Sequence, residues 1–175
     1  MGKYFIAIAL PEPLSSEVQK IRLEVAGLFG CKAALRSPPH ITLHLPFEWK
    51  RNREKDLFKG FSSGHFEWPL RLQLSGFSYF GLRVFFAVVK PCPALISLQK
   101  GVVRQAQTQL HLLNEVQNLR PFHPHVTLAF RDIKKETFGK ILKHFEDVDF
   151  NRDFTTESFH LLRLEKEGWK CIGSL

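Results

Sequence analysis

The tetrapeptides His40-Ile41-Thr42-Leu43 and His125-Val126-Thr127-Leu128 repeat one pattern, and each follows a proline in the 175-residue chain. The chain has eight histidines, and average residue usage makes two chance occurrences of this pattern very improbable. The repeat is therefore the most specific feature of the sequence.

Each copy has the alternation of a strand with one apolar face. Side chains alternate across a strand, so His40 and Thr42 share one face while the aliphatic residues point the other way. The same rule pairs His125 with Thr127. Two such strands on either side of a cleft would present two imidazoles and two hydroxyls to one small ligand. His44 falls on the same face if the first strand continues, either as a substrate contact or, equally, as a structural residue.

This set of side chains suits phosphodiester hydrolysis. One neutral imidazole can take a proton from water while the other, as imidazolium, protonates the leaving oxygen. An unperturbed pKa of ~6.5 lets both forms of histidine coexist near neutral pH. The threonine hydroxyls can bond to the non-bridging phosphate oxygens. The scheme needs no metal or other cofactor, and His123 has no acidic or cysteine partner at the spacing of a zinc site.

Apolar periodicity predicts the elements around the two motifs. Helices are predicted at 14–28, 94–113 and 134–145, and strands at 4–10, 40–47, 70–75, 83–89, 125–130, 158–164 and 169–172. Each half reads strand, helix, strand, with a hairpin around Gly81 between the halves. This order favours an α+β fold with antiparallel sheets over a parallel doubly wound one. No linker or low-complexity stretch divides residues 1–175, so we expect one domain.

Charge, hydropathy and cysteine content indicate which kind of partner and which cellular compartment to expect. The formal net charge of +8 favours a polyanionic partner such as RNA. No apolar run reaches the ~20 residues that span a bilayer, and residues 1–5 lack the features of a secretory signal. The three cysteines are odd in number and outside any CxxC pattern, which is typical of a reducing cytosol. We expect a cytoplasmic monomer with no membrane partner.

The motifs and their surroundings resemble the two-histidine phosphoesterase superfamily, and within it the RNA 2′,3′-cyclic phosphodiesterases historically called 2′-5′ RNA ligases. The likeness is carried by the opening strand, the segment from Pro38 to Leu43, the hairpin from Gly76 to Val89 and, most closely, the segment from Phe122 to Ala129. It implies two pseudo-symmetric lobes whose antiparallel sheets form a V-shaped cleft, with helices on the outside.

The resemblance also implies roles for the site residues. His40 would donate a proton to the leaving oxygen, His125 would accept one from water, and both motif threonines would bind the phosphate. On an RNA 2′,3′-cyclic end this opens the ring and leaves a 2′-phosphate, and 2′-5′ ligation would use the same groups in reverse. An arginine often follows the second motif of this family. Here Phe130 stands in that place, and Arg131, a candidate substrate contact, comes one residue later.

Three other functions are open on the sequence. A two-histidine enzyme for another small cyclic nucleotide would carry the same motifs, because the motifs bind only the phosphate and the adjacent sugar oxygens. A non-catalytic nucleotide- or RNA-binding module would keep the cleft without the chemistry. A basic RNA-binding scaffold would use the His-x-Thr strands only to build its sheet.

Overall fold

The structure is a computed structural model that describes residues 1–62, 64–112 and 121–175. Its strands are β1 (Gly2–Ala9), β2 (His40–Trp49), β3 (Leu70–Phe80), β4 (Val84–Val89), β5 (His125–Phe130), β6 (Asn151–Thr156), β7 (His160–Glu165) and β8 (Gly168–Ser174). The α-helices of the described residues are α1 (Leu14–Phe29), α2 (Glu54–Ser62), α3 (Pro93–Leu110) and α4 (Lys135–Phe145). Short 3₁₀ turns cover Ala33–Arg36 and Arg51–Arg53.

The strands form one antiparallel sheet in the order β6-β3-β4-β5-β2-β1-β7-β8. The order has a pseudo-twofold centre between β5 and β2, so β2, β1, β7 and β8 form a first lobe and β5, β4, β3 and β6 a second. The lobes meet in a single ladder pair, Ile41 with Val126. The predicted α+β fold with two lobes and a cleft is confirmed, and the two sheets are joined edge to edge at this one pair.

The helices cover one face of the sheet. Tyr4, Ile6 and Ile8 of β1 are fully buried on that face, together with Val18 and Val25 of α1. This regular spacing of apolar side chains is the reason that α1 forms and docks where it does. We call the opposite face the cleft face. It carries a small apolar group made of Phe5, Ala7 and Leu162, with Trp169 packed against them.

Two elements are absent from the sequence prediction, one because it is mostly polar and the other because it is short. Strand β6 is an edge strand of largely exposed polar residues. Helix α2 is short and buries only Leu57, Gly60 and Phe61. The predicted end of the second helix at Leu113 lies outside the described residues. No helix in the described ranges is long and apolar enough to span a membrane.

The turn between β7 and β8 is packed tightly onto the segment that leads into the first motif. Gly168 has φ +144°, which L-residues rarely adopt, and a Cβ atom there would overlap the carbonyl oxygen of Arg36. Only glycine fits both constraints. The turn therefore supports the chain shortly before His40.

Gly168→Ala is expected to destabilise the fold by roughly 2–4 kcal/mol, because it combines backbone strain with a clash against backbone atoms. Gly30→Ala is the matched control: Gly30 has φ +73° at the end of α1 but open space around it, so about 1 kcal/mol is expected. Urea unfolding of both variants measures the difference. Equal losses would contradict the packing contribution of Gly168.

Candidate active site

The first motif lies on the cleft face of β2. His40 pairs with Ala9 and Thr42 pairs with Ala7 of β1. Paired residues of neighbouring strands point to the same face, and Ala7 belongs to the apolar group of the cleft face. His40 and Thr42 are both half-buried there, so the predicted pairing of imidazole and hydroxyl is present.

The second motif lies on the same face of β5. His125 pairs with Val88, and Thr127 pairs with Phe86 of β4. Val126, between them, is fully buried in the core under the helices. The alternation of a strand therefore directs His125 and Thr127 to the cleft face.

The single ladder pair between the lobes fixes how the motifs face each other. Because Ile41 lies opposite Val126, one antiparallel step to one side puts His40 across from Thr127. One step to the other side puts His125 across from Thr42. Each imidazole thus has the hydroxyl of the other motif as its neighbour, and the four groups form one pseudo-twofold set.

Both imidazoles are held by the same local hydrogen bond. Nδ1 of His40 lies 2.7 Å from the carbonyl oxygen of Pro38, and Nδ1 of His125 lies 2.8 Å from that of His123. A carbonyl oxygen can only accept, so Nδ1 carries the proton in each ring. Nε2 is then the nitrogen left to meet a ligand.

Aromatic rings flank each histidine on the cleft face. The ring centroid of Phe5 lies 4.8 Å from that of His40, and those of Phe86 and Phe80 each lie 5.1 Å from that of His125. Phe80 is also 37% exposed. Its exposure next to a motif histidine distinguishes Phe80 from the other phenylalanines, of which the chain has 17 in all. Nothing in the sequence alone indicates that Phe80 is exposed at this place.

His44 does not lie on the face of His40, contrary to expectation. The ladder between β1 and β2 pairs Ala7 with Thr42 but Ile6 with His44, so β2 carries a bulge between them. A bulge reverses the alternation beyond it. His44 is 1% exposed, donates from Nδ1 to the carbonyl oxygen of Leu45 and packs edge-on against Phe47.

Arg131 lies just beyond the end of β5 and is exposed. Its φ of +65° turns the chain out of the strand. The guanidinium carbon lies 5.1 Å from the centre of the Phe130 ring. Phe130 pairs with Val84, two residues from Phe86 in β4, and therefore lies on the cleft face. Arg131 folds back over that ring instead of extending the strand.

Arg22 of α1 is a fully buried cation between the two motifs. Its Nε and Nη2 donate to the carbonyl oxygen of Thr127 at 2.9 and 2.6 Å, and its Nη1 donates to that of Ser37 at 2.8 Å. It is 1% exposed, and burial lowers its pKa to about 10, so it stays charged at neutral pH. No described carboxylate pairs with it. The sequence offers one sign of this buried position, since Arg22 falls among the apolar residues of the predicted helix at 14–28.

The environment favours neutral imidazoles in the free protein. Burial lowers the pKa of His40 to about 4. The bond to Pro38 opposes this shift, and the charges of Arg22 and His125 add smaller downward contributions to the pKa. Burial also lowers the pKa of His125. Charging either ring in the free protein is therefore unfavourable.

His160 is a third histidine of the cleft face that sequence reasoning missed. It pairs with Ala7, whose other neighbour is Thr42, so His160 lies two strands away from the first motif. Its Nδ1 is buried and has no hydrogen-bond partner among the described residues, and burial lowers its pKa. Within the described ranges, no group of three or more His, Cys, Asp or Glu side chains is placed to hold a metal ion.

An α+β fold whose two lobes each bring a His-x-Thr strand to one cleft defines a two-histidine phosphoesterase. The chain matches the family model of the 2′-5′ RNA ligase superfamily over residues 10–168. It belongs to that superfamily, whose members are enzymes acting on phosphoester bonds.

Solved structures share the fold. TT0787 of Thermus thermophilus is 24% identical, with a TM-score of 0.69 over 99% of this chain and 96% of that one. E. coli LigT complexed with 3′-AMP is 21% identical, with a TM-score of 0.67 over 99% and 97% of the two chains. No curated protein sequence matches the chain.

His40 is expected to titrate near pH 4 in the free, folded protein, well below the ~6.5 of an unfolded chain. Because the unfolded state then binds the proton more tightly, this group makes the fold less stable as the pH falls from 6.5 towards 4. Imidazole NMR signals followed from pH 7.5 to 3.5, assigned with His40→Gln, measure the midpoint. A midpoint above 6 would contradict this description of the site.

Arg22→Met is expected to lose roughly 2–4 kcal/mol of unfolding free energy, because two carbonyl groups lose their donors in a dry site. It should also raise the pKa of His40, since a nearby positive charge is removed. Arg152→Met is the control, because Arg152 forms an exposed ion pair with Glu17 worth less than about 1 kcal/mol. Equal destabilisation of the two variants, measured by urea unfolding, would rule out the bridging role of Arg22.

Proposed function

We propose that this protein is a phosphodiesterase that opens 2′,3′-cyclic phosphates at RNA ends and leaves 2′-phosphates. The observation that carries the proposal is the duplicated arrangement of the histidines. Each donates from Nδ1 to the carbonyl two residues before it, which leaves Nε2 for a ligand. A sheet scaffold or a pure binding module has no need of two imidazoles oriented in the same way beside two hydroxyls.

The proposed reaction assigns one proton transfer to each histidine. Nε2 of His125 takes a proton from water as the water oxygen bonds to phosphorus. The bond from phosphorus to O3′ breaks, and O3′ takes a proton from Nε2 of His40. Thr42 and Thr127 donate hydrogen bonds to the non-bridging oxygens, where negative charge builds up. The phosphate stays on O2′, and proton exchange with solvent returns both histidines to their starting states.

The acid role requires His40 to carry a second ring proton in the complex. Its pKa of about 4 keeps it neutral in the free protein. An anionic phosphodiester within ~4–6 Å favours the charged imidazole and so raises this pKa. In this scheme the proton is taken up as the substrate binds, and the acid is active only in the complex.

Three features support an RNA end as the substrate. The formal net charge of +8 favours a polyanion. The exposed ring of Phe80 beside His125 offers a surface on which a base can stack. E. coli LigT, which shares the fold, has been crystallised with 3′-AMP. Arg131, folded over Phe130 on the cleft face, would add a positive charge for a part of the RNA strand that extends along β5.

We further propose that the protein acts as a monomer in the cytoplasm. Both His-x-Thr motifs come from one chain and meet on one face, so a partner subunit is not needed to complete the site. The thiols of Cys31, Cys92 and Cys171 are free in the structure, as a reducing compartment would keep them.

The test is turnover of the four nucleoside 2′,3′-cyclic monophosphates, and of a short RNA ending in one, with a chelator present. We expect turnover despite the chelator, because the scheme uses only the protein's own side chains. The products should be 2′-phosphates, because O3′ is the leaving group. His40→Ala and His125→Ala should lower turnover by at least about 10³-fold, and Thr42→Ala or Thr127→Ala by about 10- to 100-fold. Product regiochemistry is resolved by chromatography.

His65→Ala is the control, since this exposed histidine lies outside both motifs and its loss should leave turnover unchanged. Formation of 3′-phosphates would contradict the assigned leaving group. No turnover of any of these substrates by the folded protein would move the proposal to another cyclic nucleotide or to binding alone.

A further inference from the structure

A groove of about 460 Å³ with a mixed lining of apolar, polar and charged side chains opens on the second lobe. Arg71, Gln73 and Lys90 line it from β3 and the end of β4, and Asp153 and Thr155 line it from β6. The ladder pairs Gln73 with Asp153 and Arg71 with Thr155, so these side chains point to the same face.

The groove lies on the cleft face. Gln73 alternates with Leu72 and Leu74, which are buried in the core under the helices, so Gln73 points to the opposite face. Lys90 Nζ lies 3.1 Å from the side-chain oxygen of Gln73 and therefore shares that face. The groove and the motif histidines thus open to the same side of the sheet.

The groove is also close to the second motif. His125 pairs with Val88 of β4, and Lys90 follows two residues further along the chain. The backbone N–H of Lys90 donates to the carbonyl oxygen of Gln73, which places β3 next in the sheet. With strands ~4.8 Å apart and a rise of ~3.4 Å per residue, the groove lies roughly 10 Å from His125.

The chemistry of the lining suits a ribose-phosphate unit. Arg71 and Lys90 are exposed, and neither forms an ion pair within the described part of the chain. Gln73 partly orders the Lys90 ammonium without neutralising it. Two cations of this kind bind a phosphodiester. The Asp153 carboxylate would repel a phosphate but can accept hydrogen bonds from ribose hydroxyls, and the Thr155 hydroxyl can bond to either group.

We propose that this groove binds the ribonucleotide that precedes the reacting end of an RNA strand, with Arg71 and Lys90 on its phosphodiester. The inference rests on the proposed function and names its substrate class. A nucleoside 2′,3′-cyclic monophosphate fills the catalytic pair and has nothing to place in the groove, whereas an RNA oligomer occupies both. The protein therefore prefers a polynucleotide end to the mononucleotide.

The test compares kcat/KM for a five-nucleotide RNA ending in a 2′,3′-cyclic phosphate with kcat/KM for the corresponding mononucleotide. Arg71→Ser/Lys90→Ser is expected to lower the ratio of the two values by about 10-fold or more, the usual effect of losing charge-assisted hydrogen bonds. The control is Lys100→Ser/Arg104→Ser, which makes the same charge change on the exposed surface of α3, on the other side of the sheet.

A direct binding measurement does not depend on turnover. Fluorescence anisotropy with an RNA that ends in a 2′-phosphate should show weaker binding by the groove variant. The log–log slope of its salt dependence should be shallower by about 0.7 for each phosphate that the variant no longer neutralises. An unchanged oligomer-to-mononucleotide ratio, or equal effects of the groove and control variants, would overturn the proposal. Absence of turnover of both the oligomer and the mononucleotide by the unmodified protein would instead refute the proposed function.

Discussion

The guanidinium of Arg22 is the interaction on which the site depends. The sheet is weakest where the two lobes meet, since only Ile41 and Val126 pair across that boundary. Arg22 supplies three donors there, to carbonyl oxygens that belong to the second motif and to the approach to the first. Burying an unpaired charge is costly, so its position is best understood as a link between lobes that diverge to form the cleft.

The same arrangement explains the electrostatics of the histidines. Aromatic rings pack against them, Phe5 beside His40 and Phe80 and Phe86 beside His125, and reduce the solvent around each imidazole. A partly desolvated site with a buried positive charge beneath it disfavours imidazolium and favours an anion. The resting protein is thus poised for a phosphodiester, and its pseudo-twofold set of side chains acquires distinct acid and base roles only when an asymmetric substrate binds.

Much of this was predictable from the sequence, and the exceptions have physical causes. The His-x-Thr repeat predicts that His40, Thr42, His125 and Thr127 share one face of the sheet, as the structure has them, because period-two alternation is a local property of a strand. His44 was misplaced, because a bulge depends on how β1 and β2 pair and not on β2 alone. Arg22, Phe80 and His160 were missed, because their roles come from long-range contacts. Edge strand β6 has too few apolar residues to be visible.

The two lobes differ in how the chain builds them. The second lobe uses one continuous stretch, from β3 to β6, whereas the first takes β1 and β2 from the start of the chain and β7 and β8 from its end, with Tyr4 opposite Arg163. During synthesis the second lobe can therefore fold before β7 and β8, the last strands of the first lobe, have been made. The sheet that carries His40 is complete only when β7 and β8 have left the ribosome, so a chain that ended before β7 would hold the second motif in a folded lobe and the first on the β1–β2 pair alone.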